Sequence, residues 1–161
     1  MMILAIDPGP EKSAWVIYYR DTKRVGAFAI EKNDDVLVTI QARFGFCFDV
    51  VIEMIASYGM PVGKEVFDTA RWVGRFEQQF AFAHSKEAVL VYRMEVKQHL
   101  CQNSRAKDGN IRQAIIDRFP ATGGGKVPQI GTKKQPGPLY GVVADLWQAL
   151  GVAITYAETK T

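Results

Sequence analysis

Apolar positions recur with two different periods along this chain. Ile3-Leu4-Ala5-Ile6 is an unbroken apolar run that stops at Asp7-Pro8-Gly9, the pattern of a buried strand ending in a carboxylate and a turn. Ser13 to Tyr19 (SAWVIYY) is aromatic and β-branched enough for a second strand, and Asp21-Thr22-Lys23 turns into a third over about Arg24 to Ile30. These three read as an antiparallel meander. Asn33-Asp34-Asp35 offers short polar side chains to cap a helix running towards Phe44. Asp49-Val50-Val51-Ile52-Glu53 repeats the first pattern, a buried strand closing on an acid. The period then lengthens. From about Val62 to His84, residues Val66, Phe67, Ala70, Val73, Phe76 and Phe80 recur at three and four positions, which predicts a long amphipathic helix. Trp72, Gly74 and Phe82 fall off that stripe. Fuller burial within one chain and cover by a second subunit both account for them.

Ala88 to Arg93 predicts a fifth strand, with short helices over Glu95 to Leu100 and Gly109 to Phe119 and a polar, basic linker at residues 103–108 between them. Residues 120–137 hold three consecutive glycines, three prolines and Lys126, Lys133 and Lys134. So little apolar surface predicts a mobile basic loop. Leu139 to Ala157 reads as a closing helix that turns Val142, Val143, Leu146, Ala149, Leu150, Ala153 and Ile154 inward, interrupted by one acid, Asp145. Strands followed by alternating helices and strands predict an α/β fold, a five-stranded mixed sheet with helices on both faces, in one domain spanning residues 1–161.

Composition narrows the class. With 161 residues, 48% of them hydrophobic, the chain can fill one substantial core. No apolar run approaches a membrane span, and the start lacks the pattern of a signal peptide, so a cytoplasmic protein is expected. Cys47 and Cys101 lie far apart in no metal-binding spacing, which argues for reduced thiols rather than zinc or a disulfide framework. A net charge of +3 suits a nucleic-acid partner without requiring one.

The candidate chemistry lies in three acids. Singly, Asp7 opens a turn, Glu53 ends a strand and Asp145 sits on a helix. Brought together, they would repel one another unless one took a proton or a cation neutralised the group. Magnesium, with manganese as a substitute, suits such an oxygen set and binds phosphate at its remaining positions. Two ions at one site can promote phosphodiester hydrolysis, and two per site are the expectation here.

ILAIDPGPEKSAW resembles the opening of the RuvC-like Holliday-junction resolvases of the ribonuclease H-like nuclease superfamily, and VVIEMIASYGMPVGKEV is similar to their second acidic strand and the helix after it. VKQHLCQNSRAK is similar to their basic segment and ADLWQALGVAIT to their final acidic helix. The four segments fall in the family's order over most of the chain and resemble its phage-encoded branch. The resemblance implies a ribonuclease H-like fold and makes Asp7, Glu53 and Asp145 metal-binding acids. Gln148 stands where the family has a second acid on the last helix, so it can offer an amide oxygen but no charge. A further departure is Ser13-Ala14, where the family more often has a small residue and then glycine.

A nuclease needs cations beside its acids, because nucleic acid is held chiefly through phosphate. Lys97, Arg105, Lys107, Lys126, Lys133 and Lys134 are the candidates. The resemblance singles out Lys97 and Lys107 as lying near the scissile phosphate and acting in catalysis. It also gives Tyr58 and Met60 a role as wedges against bases, although either could instead pack beneath the long helix. A four-way junction presents two equivalent strands, which favours a two-fold homodimer through the Val62 to His84 helix. The leading expectation is a metal-dependent, structure-selective endodeoxyribonuclease resolving Holliday junctions or other branched DNA. Its rivals are a non-catalytic junction-binding protein of the same fold, favoured by Gln148, and a related nuclease acting on RNA or RNA/DNA hybrids.

Overall fold

The computed structural model of the chain describes residues 1–42 and 48–160. Cys47 and the predicted helix end at Phe44 lie outside the described residues, whereas Cys101 is a free, partly buried thiol. Five strands form one mixed sheet in the order β3-β2-β1-β4-β5: β1 (Met2–Asp7), β2 (Lys12–Tyr19), β3 (Arg24–Lys32), β4 (Phe48–Met54) and β5 (Val89–Tyr92). The first three are the antiparallel meander, and β4 and β5 add in parallel to β1.

Strand β1 is an unbroken apolar run because both faces of the sheet are covered. Side chains alternate across a strand, so Ile3 and Ala5 enter one core with Val51 and Val91, while Leu4 and Ile6 enter the other with Val50 and Ile52. The second core is roofed by α1 (Asn33–Ala42) and α2 (Lys64–His84), through Val36, Ile40, Val73, Phe76 and Phe80. The first is roofed by α3 (Arg93–Cys101), α4 (Asp108–Ile116) and α5 (Leu146–Thr159), with α5 lying across β1 and β2.

Three sequence expectations need correction. Helix α2 buries Thr69, Val73, Phe76 and Phe80. That stripe, at spacings of four, three and four, leaves Phe67 60% exposed. The closing helix begins at Leu146 rather than Leu139, because Gly141 and Ala144 take positive φ of 87° and 46° that no α-helix accommodates. Val143 accordingly lies 58% exposed in a turn instead of facing the core. Residues 120–137 form a compact loop rather than a loose one. Its backbone closes on itself through Gly123 to Pro128, Gly124 to Gln135 and Gly137 to Ile130. Ile130 packs against the core, as does fully buried Leu139 just beyond the loop. The glycines serve close approach, since a Cβ on Gly137 would lie 2.3 Å from the Pro128 carbonyl.

Candidate active site

Register brings the first two acids together. In the parallel pairing of β1 and β4, Ile6 stands opposite Ile52, so the next step along each strand sets Asp7 beside Glu53. By alternation both point to the face roofed by α5, as do Ala5 and Val51 before them. Glu53 is only 5% exposed. Asp145, placed just ahead of α5, is exposed and makes no side-chain cap to its own helix. Burial, then the neighbouring Glu53 and Asp145 charges, push the Asp7 carboxyl up to about 8, against the opposing pull of Arg93. Burial also raises Glu53, and Arg93 opposes that shift. All three acids named from sequence therefore share one electrostatic neighbourhood at the end of the sheet.

A cation that sequence reading did not single out stands among them. Arg93 follows β5 by one residue and opens α3. Its Nη1 donates to Gln148 Oε1 at 2.7 Å and to Glu53 Oε2 at 3.4 Å, and its Nη2 pairs with Asp108. Asp108, at the start of α4, adds a fourth carboxylate that acts on Asp7 and Glu53. No periodicity marks Arg93, because its partners lie 15, 40 and 55 residues away.

The turn that presents Asp7 is tied from behind. The Ser13 hydroxyl accepts from the Gly9 amide at 3.2 Å and donates to Asn33 Oδ1 at 2.6 Å, while Asn33 Nδ2 donates to the Gly9 carbonyl at 2.9 Å. Asn33 is thus a buried brace for the turn rather than the helix cap its sequence suggested. Gly9 is required there, since a Cβ would lie 2.3 Å from the Lys12 carbonyl oxygen.

No protein-family model matches the sequence, and no curated protein is similar to it. Solved structures are. The chain superposes on the Thermus thermophilus RuvC structure with a TM-score of 0.66 at 18% identity, covering 100% of this chain and 98% of that one. It matches T. thermophilus RuvC in complex with a Holliday junction substrate at 0.62 and 17% identity, covering 98% and 93%. The chain has the RuvC fold.

On this RuvC fold the candidate DNA contacts fall into two groups. Lys97, half-buried on α3, lies near enough to lower the Glu53 carboxyl. Arg105 and Lys107, between α3 and α4, are exposed, as are Lys126, Lys133 and Lys134 of the compact loop. Tyr58 and Met60 do not pack beneath α2: they are 56% and 71% exposed, in the loop that follows Glu53.

Asp7, Glu53 and Asp145 offer the oxygen-only, multiply negative donor set that a hard divalent ion takes, and burial, with the Glu53 and Asp145 charges after it, raises Asp7 despite the nearby Arg93. The acids do not yet form a closed shell. Among the described residues, no three His, Cys, Asp or Glu side chains are gathered into a ready-made metal cage, and one Glu53 oxygen is turned to Arg93. The donor chemistry suits a hard divalent ion, and binding one would require these side chains to close on it. Gln148, the fourth position expected from sequence, spends its oxygen on Arg93.

Proposed function

We propose that this protein is a divalent-cation-dependent endonuclease that cuts branched DNA in the cytoplasm, with four-way junctions as its substrate. The observation that carries the reading is the pairing of β1 with β4. It sets two nearly buried carboxylates side by side, with Asp145 acting on Asp7 and half-buried Lys97 on Glu53, at one end of a sheet whose fold is shared with a junction-bound RuvC. Magnesium or manganese held by Asp7, Glu53 and Asp145 would supply Lewis acidity to a phosphate oxygen and to water. The chain's own groups do the rest. Lys97 and Lys107 take phosphate, Arg105 and the loop lysines Lys126, Lys133 and Lys134 hold the arms, and Tyr58 and Met60 face the bases at the branch.

Two copies related by a two-fold axis would present one such site to each of two equivalent strands. Exposed Phe67 and Phe82 on α2 and Val38 on α1 supply the apolar face for that contact. Light scattering with and without junction DNA tests the dimer, and a monomer in both cases removes it.

The deciding experiment is cleavage of an end-labelled four-way junction beside matched duplex and RNA/DNA hybrid, in magnesium and in manganese. Junction-selective incision abolished by Asp7→Asn is the expected result. Binding without incision in either metal would favour the second reading, a junction-binding protein that has lost catalysis, for which Gln148 at the site is the motivating feature. Preferred incision of the hybrid would move the substrate to RNA/DNA.

A further inference from the structure

The guanidinium of Arg93 is held on three sides by groups from three different elements. Gln148 on α5 accepts from Nη1 at 2.7 Å, Glu53 at the end of β4 accepts from the same nitrogen at 3.4 Å, and Asp108 on α4 pairs with Nη2. Its side chain is 26% exposed, so it stays partly open to solvent. Each partner makes chemical sense only with the others. An amide at position 148 accepts well from a guanidinium but adds no charge to draw a metal ion. Asp108 anchors the far side of a planar fork that suits a bidentate or bridging role better than an ammonium would. A guanidinium has no lone pair to give a metal, and its fixed charge repels one.

Resting on the nuclease reading above, we propose that Arg93 is a built-in second positive charge of the active site, so that each subunit takes one divalent ion where two were expected from sequence. Asp7, Glu53 and Asp145 hold that ion, and Gln148 and Asp108 hold Arg93 as a positioned cation. In the hydrolysis, the water oxygen forms a bond to phosphorus as the bond from phosphorus to one sugar oxygen breaks. The water's proton passes to solvent, and the departing oxygen takes one up. Negative charge builds on the phosphate oxygens and the departing oxygen in that passage, and the partly exposed Arg93 supplies the positive charge that meets it.

Counting bound manganese on the full-length protein by calorimetry, and independently by electron paramagnetic resonance of the free ion, tests the assignment without relying on cleavage. One ion per wild-type chain is expected. The double variant Arg93→Ala/Gln148→Asp should take a second ion, because it exchanges a cation and an amide for an open carboxylate. Two ions of similar affinity on the wild type would overturn the proposal while leaving the nuclease reading intact. No ion at all, together with no incision, would overturn both. Arg93→Gln, which keeps a donor but removes the charge, should lower kcat on the junction at least a hundredfold with junction Kd within about threefold of wild type. Unchanged kcat in that variant would also overturn it. The wild-type count stands even if the double variant fails to fold, and thermal unfolding of each variant reports that directly.

Discussion

Strand β4 carries a carboxylate near each end, and the protein treats the two in opposite ways. At the start, Asp49 accepts a hydrogen bond from the Tyr156 hydroxyl at 3.0 Å and is paired with the Lys86 ammonium, which also donates to the Phe48 carbonyl at 3.1 Å. Tyr156 is pushed up to about 12, by burial and then by its bond to that carboxylate. Four residues on, Glu53 is more deeply buried and meets the charges of Asp7 and Asp108, with Arg93 as the only ion-pair partner among the described residues and shared three ways. An acid kept for structure is given its own donors. At the far end negative charge is gathered beyond what the local cations offset, and that excess separates a candidate catalytic end from a structural one.

Neutralising each acid in turn should separate the two ends most strongly. Asp7→Asn and Glu53→Gln should each lower junction cleavage by about a thousandfold or more, as loss of a group that organises transition-state charge does, while junction Kd changes little. Asp49→Asn should leave cleavage within about twofold and cost about 1–2 kcal/mol of stability, because an ion-paired acceptor is weakened. Cleavage kinetics and urea unfolding measure the two effects. Equal catalytic losses at both ends of β4 would dissolve the distinction.

The next test is the pH dependence of stability without added metal. A carboxyl raised from an ordinary 3.8 to about 8 binds its proton more tightly in the folded state. Between those values the native chain holds more protons than the unfolded one, so the Asp7 contribution to stability is present at low pH and is lost as pH rises towards 8. Unfolding free energy should therefore fall across that window, and Asp7→Asn should flatten the fall and gain about 1–2 kcal/mol at pH 8. Asp49→Asn should leave the slope in place. A wild-type curve that rises from pH 5 to 8 and keeps that rise in Asp7→Asn would show that the site's charges are already neutralised.

What is legible in the sequence follows the same division. Buried strands that stop at acids are written locally, so Asp7, Glu53 and all five strands could be read from apolar runs and the residues that end them. Their adjacency required the parallel pairing of β1 and β4, which a reader of the chain could infer only from the alternation of elements. Asp145 could be named as a candidate, but it precedes α5 instead of lying within it. Val142 and Val143 extend the helical period of α5 backwards, and nothing in that pattern announces the positive φ at Gly141 and Ala144. Arg93, Asp108 and the Asn33 brace were missed because their meaning lies in contacts between distant segments. An arginine after a strand, an acid in a basic linker and an asparagine before a helix each have an ordinary local explanation.

The smallest expected effect concerns backbone strain, which also differs between the two ends. Ala144 holds φ at 46° immediately before Asp145, and Lys23 holds φ at 50° in the β2–β3 turn, at the Asp49 end of the sheet. Neither residue is a glycine or asparagine, so each conformation costs on the order of 1 kcal/mol. Glycine at either position removes that cost, but the freer unfolded chain offsets roughly half of it. Both Ala144→Gly and Lys23→Gly should therefore gain about 0.5 kcal/mol in urea unfolding. They should part in kinetics. The strained residue at 144 fixes where the backbone delivers Asp145, so loosening it should lower kcat about two- to fivefold, whereas Lys23→Gly should leave kcat unchanged. Equal stability gains with unequal kcat would assign the strain at Ala144 to aiming the third acid. If both variants cleave like wild type, Asp145 is positioned by the packing of Leu139 and Leu146 alone.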